Sequence, residues 1–361
     1  MGNKIISIVG ARPQFIKAAV ISNKLRENNK EILVHTGQHY DDNLSKIFFD
    51  ELNISKPDYN LGVGSGSHGY QTGQILIKIE KILLKENPNL VIVYGDTNST
   101  LAGALASAKL NIPVAHVEAG LRSFDKSMPE EINRLLTDHI SKILFAPNEY
   151  SVNNLNHEGI DKGIYNVGDV MIESIYGHLE IAEQKSNIVK ELNLQRNKYC
   201  LLTIHRQDNT DNFENLKTII DSILKTDSFI VFPVHPRTKK ALNKIGYYSK
   251  LLNSDNIKLI DPIGYLDFLK LEKNSEKIIT DSGGIQKEAY FLGKPCITLR
   301  NNTEWIETVN DGKNILVGTN PKKIIEAINC FNPRFEKDRI TMINDLPSNN
   351  ICKVINEFIS N

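Results

Sequence analysis

The most regular feature of this sequence is a series of short apolar runs, each followed by a segment with the apolar spacing of a helix. The runs show no alternation of apolar and polar residues, as expected for strands buried on both faces of a parallel sheet. Such strands alternating with helices predict an α/β fold. The runs are Ile5–Val9, Ile32–His35, Leu90–Tyr94, Val114–Val117, Ile143–Ala146, Tyr199–Ile204, Phe229–Val234, Ile257–Ile260, Ile278–Thr280 and Pro295–Leu299.

The runs fall into two sets that divide near residues 166–169. We therefore predict two doubly wound, Rossmann-like domains, residues 1–168 and 169–345. Residues 346–361 should form a final helix, centred on about 349–359, that returns to the first domain. Ligands of such sheets bind at the carboxyl ends of the strands, at the topological switch point. With two domains facing each other, we expect the site in the cleft between them.

Composition excludes several classes of protein. The 361 residues include 43 basic and 43 acidic ones, so the net charge is zero. Binders of nucleic acid or anionic membranes need a basic excess. The 4 cysteines are far apart and form no C-x-x-C pair, which argues against a zinc site or disulfide framework. No apolar stretch approaches the roughly 18 residues of a membrane span. We expect a soluble, cytoplasmic protein.

One glycine motif is misleading. Residues 64–69 fit the dinucleotide pattern G-x-G-x-x-G. That fingerprint requires a strand before it and an acidic residue at the end of a second strand. Residues 57–61 do not read as a strand, so we interpret the motif as a loop before a helix near residues 71–85. No nicotinamide cofactor is expected.

Charged residues follow the strands of the first domain. Arg12 and Lys17 come after the first strand, where they could neutralise a diphosphate. Asp96 and Glu118 each follow a later strand. Asp96 could also be a helix N-cap, and Glu130 could belong to a capping box with Ser127. Three carboxylates at one edge of a sheet are what acid–base chemistry requires.

The second domain repeats this arrangement with histidines. His205 and Arg206 end one strand, and His235 ends the next. Either histidine could be structural. Neither H-E-x-x-H nor D-x-D occurs in the sequence, so we expect no metal. Arginine, lysine and histidine would then hold a diphosphate.

The segment from Asp281 to Glu288 is the most informative motif. Ser282, Gly283 and Gly284 form a small-residue turn between a strand and a helix, where bare N–H groups and the helix dipole bind phosphate. Glu288 lies one to two turns further on, in reach of ribose hydroxyls. The alternative is that Asp281 or Ser282 only caps the helix. Phosphate beside ribose suggests a nucleotide.

Taken together, these motifs resemble the non-hydrolysing UDP-N-acetylglucosamine 2-epimerases. The resemblance runs from the first strand to the final helix and implies a glycosyltransferase-B fold, a homodimer, and UDP held mainly by the second domain. The segments that carry it are Gly10–Lys17, Gly37–His39, Gly95–Thr97, His116–Arg122, Pro129–Arg134, Thr203–Asn209, Asp281–Glu288 and Gly293–Pro295.

The resemblance also implies roles for single residues. Asp96, Glu118 and Glu130 would be the catalytic carboxylates. We further assign His205 as a protonated donor to the leaving diphosphate. Phe268 falls in the segment beside the uracil. Nucleotide contacts would come from Arg12, His205, Ser282, Gly283, Gly284 and Glu288. We further expect substrate or UDP contacts from Lys17, Gln38, Arg134, Arg206 and His235.

Four positions depart from the pattern of members acting on UDP-N-acetylglucosamine. Those members usually have Thr-Arg-Pro-Glu where this chain has Ala11 and Gln14, and arginine at the positions of Tyr40 and Trp305. The departures favour the branch acting on UDP-2,3-diacetamido-2,3-dideoxy-glucuronate. The Tyr40 position belongs to a region where some members bind a second, activating UDP-sugar.

The implied reaction is inversion at C2 of a UDP-2-acetamido sugar without a cofactor. Loss of UDP gives a glycal, and protonation from the other face followed by return of UDP gives the manno epimer. Three other classes share parts of this pattern: a glycosyltransferase, a hydrolysing epimerase that releases UDP, and a non-enzymatic UDP-sugar sensor.

Overall fold

A computed structural model describes residues 3–38, 56–335 and 346–360. The chain divides into two compact units, Met1–Ser174 with Ile343–Asn361, and Ile175–Met342. The division falls inside a helix, a little beyond the position near residue 168 where the strand pattern changes. In the described part of the chain, no helix is long and apolar enough to cross a membrane.

The first unit contains one parallel seven-stranded sheet with strand order β3-β2-β1-β4-β5-β6-β7. Its strands are β1 Lys4–Val9, β2 Lys30–His35, β3 Tyr59–Asn60, β4 Leu90–Tyr94, β5 Val114–Val117, β6 Ile143–Ala146 and β7 Ile164–Asn166. Its helices are α1 Arg12–Asn28, α2 His68–Glu86, α3 Asn98–Lys109, α4 Pro129–Ile140, α5 Glu149–His157, the start of α6 Val170–Lys185, and the final helix α16 Pro347–Ser360. Helix α16 packs against α1.

The second unit repeats this topology in a six-stranded sheet with order β10-β9-β8-β11-β12-β13. Its strands are β8 Cys200–Thr203, β9 Ile230–Pro233, β10 Ile257–Ile260, β11 Lys277–Thr280, β12 Cys296–Thr298 and β13 Asn314–Leu316. Its helices, after the end of α6, are α7 Ile188–Glu191, α8 Gln207–Thr210, α9 Phe213–Ile223, α10 Pro236–Lys244, α11 Tyr247–Leu252, α12 Tyr265–Asn274, α13 Gly283–Phe291, α14 Ile306–Asn310 and α15 Pro321–Cys330.

Both sheets are covered on both faces, as the uninterrupted apolar runs predict. Along β8, Cys200 and Leu202 belong to one core cluster, while Tyr199 and Leu201 belong to another. Successive side chains of a strand point to opposite faces, so the two clusters lie on opposite sides of the sheet. Burial on both sides explains why apolar residues dominate these strands.

One strand prediction is wrong. Residues 57–61, read above as no strand, contain β3, which pairs in parallel with Val34 and His35 at the sheet edge. This strand has only 2 residues, too few for a hydrophobic period to appear. The interpretation of Gly64 as part of a loop before a helix is confirmed, because α2 begins at His68.

Candidate active site

The strand orders place the predicted motifs at the switch point of each sheet. In the first unit the order reverses between β1 and β4, and in the second between β8 and β11. Side chains that follow these four strands therefore meet at the carboxyl edge of their own sheet, where doubly wound folds bind ligands.

Gln14 joins the two strands of the first switch point. Its Oε1 accepts from the N–H groups of Gly10 and Ala11, at 2.7 and 3.0 Å. Its Nε2 donates to the carbonyl oxygen of Tyr94 at 2.5 Å and to the hydroxyl of Thr97 at 3.0 Å. A glutamine side chain can both accept and donate, whereas a glutamate could not supply the donors. Gln14, noted above only as a departure, therefore positions the turn that carries Asp96.

Asp96 is not the N-cap of α3. Thr97 occupies that position and forms a capping box with Thr100. The Asp96 carboxylate instead accepts from Arg134 Nη2 at 2.5 Å and remains partly exposed, at 34% of its side chain. An acid fixed on one side and open on the other can exchange a proton with a ligand.

Helix α4 holds Asp96 from two positions. Asn133 donates to the Asp96 carbonyl oxygen at 2.9 Å, and buried Arg134 binds the carboxylate. Arg134 is also paired with Glu131 at 2.7 Å. The Glu131 carboxylate also accepts hydrogen bonds from the backbone N–H groups of Ser123 and Phe124. Arg134, predicted to contact the nucleotide or substrate, thus pairs with the carboxylates of Asp96 and Glu131, and Glu131 was missed by the sequence analysis.

The predicted capping box at Glu130 is wrong. Met128 is the N-cap of α4, and the Ser127 hydroxyl donates to Asp125 at 2.6 Å. Glu130 is half-buried, with no hydrogen bond or ion pair to any residue in the described ranges. It lies four residues before Arg134 and so on the same face of α4. Without a capping role, Glu130 is available for chemistry.

Glu118 is a buried carboxylate in a strained backbone position. Its φ of 72° lies in the left-handed region, which costs a non-glycine residue about 1–3 kcal/mol and is typical of functional sites. Its Oε2 forms an ion pair with the ammonium of Lys17, which is also buried. Burial raises the pKa of Glu118, the Lys17 charge offsets part of that, and the charges of Asp169 and Asp96 add to it. Lys17, predicted to face a diphosphate, instead holds this acid.

A histidine network supports the same turns. Buried His116 contacts Asp138 Oδ1 through Nδ1 at 2.6 Å and the Gly95 carbonyl oxygen through Nε2 at 2.7 Å. Both ring nitrogens of His116 therefore have a hydrogen-bond partner, and the ring is fixed in orientation. Asp138 also pairs with Arg122 and accepts from the Gly120 N–H. Burial by itself would raise the pKa of Asp138, but the contacts with His116 and Arg122 outweigh it, so the pKa lies below its usual value. One carboxylate thus ties together the turns after β4 and β5.

Gln38 is also a positioning residue in this structure. Its Oε1 accepts from the N–H of Ser99 at 2.9 Å and from the Ser99 hydroxyl at 2.5 Å, in the first turn of α3. The side chain of Arg12, and residues 39–55 with Tyr40, lie outside the described residues.

In the second unit, Asp281 joins β11 to β8. It is fully buried and accepts from the N–H groups of His205 and Arg206, both at 3.1 Å, and from Asn209 Nδ2 at 3.0 Å. It does not cap α13. The N-cap is Ser282, whose side chain makes no capping bond. The N-terminal N–H groups of α13 and the Ser282 hydroxyl can therefore meet a ligand.

Gly283 is required by a neighbouring acid. A Cβ added there would lie 2.0 Å from Glu304 Oε1, so the carboxylate occupies the open side of this glycine at the head of α13. Glu304 is flanked by Arg300, at 3.0 Å, and Arg206, at 4.0 Å. Glu288 is buried further along the helix. Arg300 and Glu304 follow β12, whereas the motif that begins at Asp281 follows β11. The sequence analysis therefore did not connect them with the head of α13.

The predicted histidines come together. The rings of His205 and His235 lie 6.0 Å apart between centroids. His235 Nδ1 accepts from the Arg237 N–H and so caps α10, which supports its structural reading. His205 is partly exposed, with Nδ1 3.9 Å from Asp281. Phe268, by contrast, is buried in a core cluster and offers no exposed stacking face.

Two doubly wound units with charged and polar side chains at the carboxyl edges of their sheets define an α/β enzyme of the glycosyltransferase-B type, and the predicted fold class is confirmed. A crystal structure of Methanocaldococcus jannaschii UDP-GlcNAc 2-epimerase in complex with UDP-GlcNAc and UDP matches with a TM-score of 0.92 and 49% identity, over 98% of this chain and 99% of that chain.

Sequence comparison agrees with the fold. The model of the UDP-N-acetylglucosamine 2-epimerase family matches residues 23–350. A UDP-N-acetylglucosamine 2-epimerase homolog of Methanococcus maripaludis is 62% identical over 334 residues, 92% of this chain and 94% of that protein. The UDP-2,3-diacetamido-2,3-dideoxy-D-glucuronate 2-epimerase of Pseudomonas aeruginosa is 47% identical over 332 residues, 90% of this chain and 91% of that protein. The chain belongs to the UDP-N-acetylglucosamine 2-epimerase family of isomerases.

Proposed function

We propose that this protein inverts C2 of a UDP-activated 2-acetamido sugar by eliminating UDP and adding it back. The observation that carries the proposal is the arrangement of Asp96 and Glu118 at the first switch point. Each acid is held by a buried cation, and neither is used to cap a helix. Such preorganised acids suit proton transfer at carbon.

The second unit would bind the nucleotide. The head of α13 offers backbone N–H groups and the Ser282 hydroxyl to the diphosphate, with Arg206 and His205 nearby as cationic donors. Glu288 would accept hydrogen bonds from the ribose. These donors would stabilise the negative charge of the departing diphosphate. By analogy with an oxyanion hole, each would lower the activation free energy by about 3–4 kcal/mol.

The acids of the first unit would move the proton. The C2 hydrogen is not acidic until the bond from C1 to UDP weakens and oxocarbenium character develops beside it. One carboxylate then removes the proton, and a second acid protonates the glycal on the opposite face. We assign these steps to Asp96 and Glu130, with Glu118 in support, because Asp96 and Glu130 are the more accessible.

Overall sequence identity does not distinguish between the two candidate substrates. The N-acetylglucosamine enzyme of M. jannaschii and the diacetamido-glucuronate enzyme of P. aeruginosa are 49% and 47% identical to this chain. The departures at Gln14 and Trp305 favour the second substrate.

We also propose a cytoplasmic homodimer. Tyr70, Ile77 and Leu84 are exposed and follow one another at intervals of seven residues, so they share one face of α2. An apolar helix face suits a contact with a second copy. Sedimentation should give twice the 40.7 kDa of the chain. A monomer at micromolar concentration would contradict this part of the proposal.

Proton NMR in D₂O tests the reaction. The purified protein is given UDP-N-acetylglucosamine and, separately, UDP-2,3-diacetamido-2,3-dideoxy-glucuronate. Deuterium at C2 together with a manno-configured nucleotide sugar is the expected result, and the faster substrate identifies the branch. Release of free sugar would indicate a hydrolysing enzyme, and the absence of exchange with both would favour a transferase.

A further inference from the structure

Trp305, the only tryptophan of the chain, carries an indole N–H donor that no residue in the described part of the chain accepts. Its side chain is buried, with 5% of the residue exposed. Its Nε1–H has no hydrogen-bond partner among the described residues. A buried donor left unpaired costs about 1–3 kcal/mol, so it needs a reason.

Every other part of Trp305 is held in place. Its backbone N–H donates to the Thr303 hydroxyl at 3.1 Å, and its carbonyl oxygen accepts from the Thr308 hydroxyl at 2.7 Å. The ammonium of Lys287 lies 4.3 Å from the ring centroid, a cation–π contact. The indole is therefore fixed in orientation, and only its N–H remains for another group.

The indole nitrogen lies beside the head of α13. Nε1 lies 3.5 Å from the position that a Cβ of Gly283 would occupy. Bonds from Cα to Cβ tilt toward the N-terminus of a helix, so this position lies beside the first turn of α13. Arg206 and Arg300 contribute two positive charges next to the single carboxylate of Glu304. The surroundings favour an anion.

We propose that the Trp305 indole N–H donates a hydrogen bond to a phosphate oxygen of the UDP diphosphate bound at the head of α13. This inference rests on the proposed function and adds a binding residue to it. An indole N–H suits this place because it donates without adding charge, whereas arginine would pair with Glu304.

The single tryptophan makes the test direct. In ¹⁵N-labelled protein the indole N–H gives one cross-peak, which UDP should move downfield while uridine, lacking phosphate, should leave it in place. Trp305→Phe keeps a ring over Lys287 and removes the donor. We expect about a tenfold loss of UDP affinity by calorimetry and unchanged uridine binding, which also shows that the variant is folded.

Tyr290→Phe is the matched control. Tyr290 also contacts Lys287, at 5.9 Å from its ring centroid, but its hydroxyl is bonded to Asp311 away from Gly283. This variant should bind UDP as the wild type does.

Three results would overturn the inference. If UDP binds the wild type while the cross-peak stays still and Trp305→Phe binds UDP equally well, the inference fails and the proposed function stands. If UDP and uridine lose affinity equally, the indole contacts the nucleoside instead. If the wild type does not bind UDP, the proposed function itself fails.

Discussion

The two switch points share one topology and differ in how they treat charge. In the first unit Asp96, Glu118 and Asp138 are each paired with a buried cation, namely Arg134, Lys17 and Arg122, so negative charge is held at fixed positions. In the second unit, the buried carboxylate of Asp281 accepts hydrogen bonds mainly from backbone N–H groups. The N-terminus of α13 has no side-chain cap. The same fold can therefore present fixed carboxylates in one unit and an open helix N-terminus in the other, as the proposed function requires, according to the side chains that follow its strands.

The largest effect should come from Asp96→Asn. The amide cannot accept or return a proton, so turnover should fall by about 10²–10⁴. UDP affinity should stay unchanged because the proposed nucleotide site lies in the second unit. Exchange at C2 by NMR and calorimetry with UDP measure the two quantities. Asp161→Asn, at an exposed position of the same unit, is the control. Near-normal turnover would remove Asp96 from the mechanism.

The pair Lys17–Glu118 tests whether the first switch point depends on matched buried charges. Glu118→Gln or Lys17→Met alone leaves one buried charge without its partner and should cost about 3–5 kcal/mol of unfolding free energy. The double variant should recover most of this loss. Urea unfolding measures it.

Lys24 and Glu27 offer a comparison for that pair, since they form an ion pair with side chains 40% and 59% exposed. Lys24→Met should cost no more than about 1 kcal/mol. Single variants of Lys17 or Glu118 that behave like Lys24→Met would show that burial does not matter here.

Gly283→Ala tests the open head of α13. The added methyl would meet the Glu304 carboxylate at 2.0 Å and displace it from Arg300. UDP affinity should fall about tenfold, measured by calorimetry. Gly177→Ala is the matched control, because nothing lies within 4 Å of a Cβ there and alanine is favoured by about 1 kcal/mol inside a helix. Unchanged UDP binding by Gly283→Ala would separate this glycine from the nucleotide site.

The smallest effect concerns acid stability. The pKa of Asp138 is lowered in the folded protein, so its stabilising contribution is complete above the unfolded value near 3.9 and is lost as the pH falls through the folded value. Unfolding free energy should therefore decline on acidification less steeply for Asp138→Asn than for the wild type. Gly177→Ala, which changes no ionisable group, should keep the wild-type slope. Equal slopes for all three would contradict the assignment.

Much of the site could be predicted because strand ends are visible in the sequence. Asp96, Glu118, His205 and Ser282 each follow an apolar run, and the parallel topology brings such positions to one edge of their sheet. The roles of Lys17 and Arg134 could not be predicted. Lys17 meets Glu118 across 101 positions and Arg134 meets Asp96 across 38. No local pattern records such pairs.

The sequence by itself determined the two α/β units and which chemical groups stand at their strand ends, because apolar run length and turn residues act locally. Tertiary structure decided which of those groups remain available. It assigned the cap of α3 to Thr97 and that of α4 to Met128, and so released Asp96 and Glu130. It also buried Trp305 with its indole nitrogen beside Gly283. Availability depends on which distant residues pack against a group, and only the folded chain brings those residues together.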